Sequence, residues 1–113
     1  MLQYENVVDS FLGECEQRML EMFERRIALL REKGSECRRP ITESIGDGLF
    51  ELRARGGKTQ GRLIFCFGPN KSIIFVHAFY KPGKKIDPKE KVIAIKNMEK
   101  SRLEVGRVSP FVN

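Results

Sequence analysis

Between Leu49 and Tyr80 the chain holds three strand-like runs, Leu49–Arg55, Arg62–Phe67 and Ser72–Tyr80, joined by the short connections GGKTQG and GPNK. Connections this short cannot carry a crossover, so the three strands must be sequential neighbours in an antiparallel meander. The glycines in both connections supply turn chemistry. A three-stranded sheet with apolar residues on both faces then needs other elements to cover it.

The flanking sequence provides the cover. From about Tyr4 to Lys33 the residues Val8, Leu12, Cys15, Met19, Phe23, Ile27 and Leu30 recur every three or four positions among charged residues, an amphipathic helical pattern. Gly13 is expected to split this pattern into a short and a longer helix, and Gly34 to end it. Residues 34–48, with Pro40, Gly46 and Gly48, read as a loop. After the sheet, Asp87-Pro88-Lys89-Glu90 offers an N-cap, a proline at the first helical position and a glutamate three residues beyond the cap. That predicts a helix from Pro88 to about Leu103 with Val92, Ile95 and Met98 facing inward. The tail EVGRVSPFVN has no clear period. The expected fold is α+β, one domain over 1–113: helices in 1–33, sheet in 49–80 and a C-terminal helix in 88–103. A chain of 113 residues is long enough for one core and too short for two ordinary domains with a linker.

Charge is unevenly distributed. Residues 1–52 carry 7 Lys/Arg against 11 Asp/Glu, and residues 53–113 carry 14 against 4, so the net +6 conceals −4 and +10. A field of one sign on half of a small protein attracts polyanions, nucleic acid above all, although a solvated basic surface has the same composition. Cys15, Cys37 and Cys66 form an odd set with no C-x-x-C pair, and His77 is the single histidine, so neither a disulfide framework nor a metal site is expected. With no signal-like leader and no apolar run long enough to span a bilayer, the expectation is a cytoplasmic protein without a membrane partner.

Alternation along the strands sorts the sheet residues. Phe50, Leu52 and Ala54 share one face, and Glu51, Arg53 and Arg55 the other. Pairing Gly56 with Gly61 puts Leu52 opposite Phe65 and Arg55 opposite Arg62. Closing the next hairpin around Gly68–Lys71 puts Ser72, Ile74, Val76 and Ala78 on the core face, and Ile73, Phe75, His77 and Phe79 on the arginine face, with His77 across from Arg62. Like charges directly opposite one another are destabilising. An anionic ligand would relieve that repulsion, because guanidinium groups match phosphate with paired donors. Phe75, Phe79 and Tyr80 are candidate surfaces for base stacking. Lys58 in the first turn, and Lys81, Lys84 and Lys85 in YKPGKK, would extend the basic patch. The arginines could equally project into water or pair with Glu51 and the acidic helices.

Two N-terminal helices, Gly48-Leu49-Phe50-Glu51-Leu52-Arg53, the strand start Gly61-Arg62-Leu63-Ile64-Phe65, and Val76-His77-Ala78-Phe79-Tyr80-Lys81 before a proline-initiated helix occur here in an order that resembles toxins of the RelE/ParE superfamily. The likeness is greatest to the HigB-like, phage-derived branch and covers roughly Val7 to Leu103. It implies a bacterial type II toxin–antitoxin module, a toxin that cleaves mRNA on the ribosome without a cofactor, and a partner antitoxin, commonly of the helix-turn-helix type. It also implies that the basic positions acting on mRNA fall on Arg53, Arg55, Arg62 and Lys81. His77, by its intrinsic pKa, is a candidate proton acceptor, and Lys81 is another if its surroundings lower its pKa. The same superfamily implies two alternatives, a ParE-like inhibitor of DNA gyrase and an inactive remnant that only binds its antitoxin. Relatives usually begin with a β-strand, which this sequence does not display, and often carry a tyrosine near the last helix, for which Tyr80 is the nearest candidate.

Overall fold

The computed structural model describes residues 2–82 and 86–112, with side chains described through Leu103. The elements in chain order are β1 (Leu2–Tyr4), α1 (Asn6–Glu14), α2 (Gln17–Lys33), β2 (Thr42–Gly46), β3 (Leu49–Gly56), β4 (Thr59–Phe67), β5 (Ile73–Tyr80) and α3 (Pro88–Val112). One mixed sheet has the order β1-β5-β4-β3-β2, with β1 parallel to β5 and the other pairs antiparallel. The α+β class and the central meander agree with expectation.

Two strands were not expected. The N-terminal strand is present as β1, three residues long, pairing Leu2 with Ile73 and Tyr4 with Phe75. Tyr4 stacks on Phe75 with ring centroids 4.9 Å apart. Three residues are too few for a period-two pattern to register, and neighbour pairing rather than local pattern makes them a strand. The segment read as a loop contributes β2 on the opposite edge of the sheet, ending in a turn where Gly46, Asp47 and Gly48 all have positive φ. Between the two N-terminal helices the break falls at Cys15 and Glu16, both in extended backbone, rather than at Gly13.

Helices cover both faces. Val8, Met19, Phe23, Ile27 and Leu30 pack on Leu52, Ala54, Leu63, Phe65, Ile73, Phe75 and Ala78. On the reverse face Ala94 and Met98 of α3 pack on Leu49, Ile64, Cys66, Ile74, Val76 and Phe79. The α3 start matches expectation, with Asp87 Oδ1 accepting from the Lys89 N–H at 2.9 Å. Met98 is buried and Ile95 packs on the core as predicted, but Val92 is 53% exposed and Ala94, which lies outside the predicted stripe, is fully buried.

The hairpin registers also differ from expectation. Gly56 pairs with Thr59, leaving a two-residue turn of Gly57 and Lys58, so Arg53 lies opposite Arg62 and Arg55 opposite Gln60. This is a shift of two residues, which preserves faces. Between β4 and β5 a bulge interrupts pairing after Ile64↔His77, the next pair being Phe65↔Phe75. One extra residue on β5 reverses the facing of everything before it. Phe75 therefore enters the α1–α2 core, fully buried, whereas Ile74 and Val76 face α3; Ala78 keeps the expected side.

Gly61 is not a turn residue. A Cβ there would lie 2.6 Å from Met19 Sδ and 3.1 Å from Phe23 Cζ, so the missing side chain lets α2 approach the hairpin that carries the arginines. Because Met19 and Phe23 are fully buried, Gly61→Ala should cost about 1–3 kcal/mol through overpacking, read as a lower urea midpoint with an unchanged m value.

Candidate functional site

The α3 face of the sheet changes character toward the β3–β4 turn. Leu49, Cys66 and Ile74 lie beneath α3, Glu51, Ile64 and His77 form the next cross-strand row, and Arg53, Arg62 and Phe79 the one after. The outermost row holds Arg55 and Gln60, with Lys81 immediately after β5, its N–H donating to the Gln60 carbonyl at 2.8 Å.

A buried carboxylate organises this end. Glu51 is 2% exposed; its Oε1 accepts from Arg53 Nε at 2.7 Å, and its Oε2 lies 3.7 Å from Arg62 Nε, an electrostatic contact too long for a hydrogen bond. Neither Glu51 Oε2 nor Arg62 Nε has a hydrogen-bond partner among the described residues. Arg62 is held at its other nitrogens, Nη1 donating to the Gly61 carbonyl at 2.9 Å and Nη2 to Gln60 Oε1 at 3.0 Å. Burial pushes the Arg62 guanidinium below its ordinary value, and the Glu51 charge works in the opposite direction. Arg53 also pairs with Glu43 on β2, which in turn pairs with Arg39, and the Arg53 carbonyl accepts from Arg26 of α2 at 2.7 Å. The repulsion expected between facing arginines is thus relieved from within by Glu51 and Glu43.

The expected residues divide into groups. Arg53, Arg55, Arg62, His77 and Phe79 share the α3 face, with Lys81 beside them; Arg55 is exposed, and Lys58 is exposed at the turn. Burial pushes the Lys81 ammonium below its ordinary value of 10.5, with Arg62 and Arg53 adding to the drop and Glu51 and Glu43 opposing it. His77 is 5% exposed, stacks on Phe79 and sets Nε2 3.4 Å from Glu90 Oε1, while its Nδ1 has no partner among the described residues. Phe75, expected on the arginine face, is in the opposite core. Tyr80 lies on the α1 side, its ring 4.7 Å from Phe11, and burial followed by the nearby Cys15, Glu14 and Glu16 raises its phenol pKa. Lys84 and Lys85 lie outside the described residues.

Glu43, Arg39 and Gln60 join the cluster without having been expected there. Glu43 sits in a segment whose glycines and proline read as loop, and only its pairing with Glu51 across β2–β3 brings it to Arg53.

Residues 10–99 match the family described as Phage derived protein Gp49-like (DUF891). The chain belongs to this Gp49-like family. It is a RelE-like, toxin-like family, and the match includes every residue of the cluster just described. A search of curated proteins found no match. No helix among the described residues of the Gp49-like chain is long and apolar enough to cross a membrane.

Removing one member of a buried ion pair strands the other charge. Glu51→Ala should therefore destabilise the fold by about 3–5 kcal/mol, whereas Glu24→Ala on the exposed face of α2 should stay within about 0.5 kcal/mol. Urea unfolding of both variants measures the difference.

Proposed function

We propose that this Gp49-like chain is the toxin of a type II toxin–antitoxin module, of the HigB-like branch, and that it cleaves mRNA on the ribosome. The observation that carries this reading is the graded cluster of Arg53, Arg55, Arg62 and Lys81, in which a buried carboxylate lies between the guanidinium groups of Arg53 and Arg62 and the neighbouring lysine has a lowered pKa. Membership of a RelE-like family supports it. A helix-turn-helix antitoxin is the partner in this reading.

These side chains and water supply the proton transfers and the charge neutralisation that RNA cleavage requires. The RNA 2′-hydroxyl attacks the adjacent phosphorus, the new O2′–P bond forms as the P–O5′ bond breaks, and the products are a 2′,3′-cyclic phosphate and a free 5′-hydroxyl. Neutral Lys81 accepts the 2′-hydroxyl proton. Arg53 and Arg55 neutralise the charge that grows on the phosphorane oxygens, and Arg62 anchors the array from its buried position. In-line displacement puts the departing 5′-oxygen on the side of phosphorus away from the base, so it takes its proton from water. His77, enclosed by Phe79 and Glu90, supports the site from beneath α3 rather than touching RNA.

Induced expression should arrest growth and generate new mRNA 5′ ends. Lys81→Ala should relieve the arrest with little change in melting temperature and lower cleavage at least on the order of 10²-fold. It is a cleaner variant than Arg62→Ala, which removes a buried cation and leaves Glu51 with Arg53 as its ion-pair partner. DNA damage without new mRNA ends would replace this reading with gyrase inhibition, and a folded chain that is harmless would leave only antitoxin binding.

The neutral fraction of a base grows with pH. The cleavage rate should therefore rise with pH and level off below 10.5, and Lys81→Arg should abolish the plateau. A flat profile in the wild-type chain would remove Lys81 as the proton acceptor.

A further inference from the structure

Glu43 stands on the edge strand with an arginine at each carboxylate oxygen: Oε1 takes Arg39 from the segment before β2, and Oε2 takes Arg53 from β3. Two guanidinium groups from different elements thus converge on one oxyanion. A phosphodiester presents the same single charge and the same two equivalent oxygens. The pairs are partly open to water, Arg39 being 75% exposed and Glu43 24%, so each ion pair is weak and one oxyanion can replace another at little cost.

A cleft of about 280 Å³ adjoins this pair at the β2 edge of the sheet, lined by Arg38, Arg39 and Glu43 and, from the α1–α2 side, by half-buried Phe50. This is just below the usual range for drug-sized ligands and suits a single nucleoside. Glu43 therefore belongs both to the arginine cluster and to a cleft that Arg38 and Phe50 also line.

We propose that Arg39 and Arg53 form a phosphodiester subsite that Glu43 occupies in the free protein, and that the adjoining cleft takes the nucleoside attached to that phosphate. The ligand class is single-stranded RNA, and this inference rests on the RNA-cleaving reading given above. Binding swings the Glu43 carboxylate aside and hands its two arginines to the phosphate. Glu43 acts as a built-in competitor that weakens binding of isolated anions and favours a ligand contributing both phosphate and base.

The test is fluorescence anisotropy with a labelled, 2′-O-methylated single-stranded RNA oligonucleotide, which binds but cannot be cleaved, across a salt series. Glu43→Gln should bind about fivefold tighter, the equivalent of removing two weak ion pairs. Its log–log salt slope should steepen by about 0.7, the value for one additional phosphate contact on a single strand. Adding Arg39→Ala should remove the gain, and Arg39→Ala alone, a change at a mostly solvated side chain, should weaken binding even if Glu43→Gln fails to fold. Glu24→Gln makes the same charge change on the exposed face of α2 and should leave affinity nearly unchanged.

Equal tightening by Glu24→Gln, no tightening in a folded Glu43→Gln variant, or unchanged binding by Arg39→Ala would overturn the proposal. If the wild-type chain cleaves mRNA while Glu43→Gln binds no tighter, the subsite fails and the toxin reading stands. If Glu43→Gln tightens binding in a chain that neither arrests growth nor cleaves mRNA, the toxin reading fails and the subsite stands.

Discussion

A carboxylate almost without access to water, placed between two guanidinium groups on adjacent strands, is the interaction on which the rest of the site depends. Arg53 and Arg62 are directly opposite in the register, as are Glu43 and Glu51, and each row of like charges would be destabilising alone. Interleaved, the rows cancel: Glu51 serves both arginines and Glu43 holds the outer side of Arg53. Buried ion pairs are poor evidence of net stability, because desolvation offsets much of their attraction. Their effect here is positional. With its Nη groups tied to the Gly61 carbonyl and Gln60, Arg62 has little freedom to move, and its charge is held in place.

This constraint explains why the sheet is covered unevenly. The face toward α1 and α2 is apolar along its length, and glycine at 61 lets α2 approach closely. The other face is apolar where Ala94 and Met98 cover it and gains charge row by row toward the β3–β4 turn, with Ile64 and Phe79 as the apolar members of those rows. The cluster is anchored by packed strands on one side and reaches water at Arg55, Lys58 and the neighbourhood of Lys81 on the other.

Much of this was legible from alternation and periodicity. The α2 stripe of Met19, Phe23, Ile27 and Leu30 is buried as its spacing demands, and the grouping of Arg53, Arg55 and Arg62 on one face survived a wrong register because the error was two residues rather than one. Phe75 was illegible for the converse reason. A single bulged residue reverses facing, and nothing in IIFVHAFY marks where the extra residue falls. Strands β1 and β2 were hidden by length and composition, since three residues carry no period and glycines beside a proline read as loop. Without β2 there was no way to see Glu43 beside Arg53.

The presence of β2 also changes what the charge count means. Split at residue 52, the sequence gives an acidic first half and a basic second half, which suggests acidic helices lying against a basic sheet. Two carboxylates from the acidic half are instead carried on β2 and β3 into the middle of the basic cluster, where they neutralise arginines that a linear count treats as free. Linear charge therefore overstates what a polyanion meets at this end of the protein. Arg55, Lys58 and Lys81 have no ion-pair partner among the described residues, whereas Arg53 is held by Glu43 and Glu51, and Arg62 is buried beside Glu51. In the RNA-cleaving reading proposed above, non-specific attraction would draw on the unpaired cations at the rim and specific engagement on the Arg53 pairs behind them.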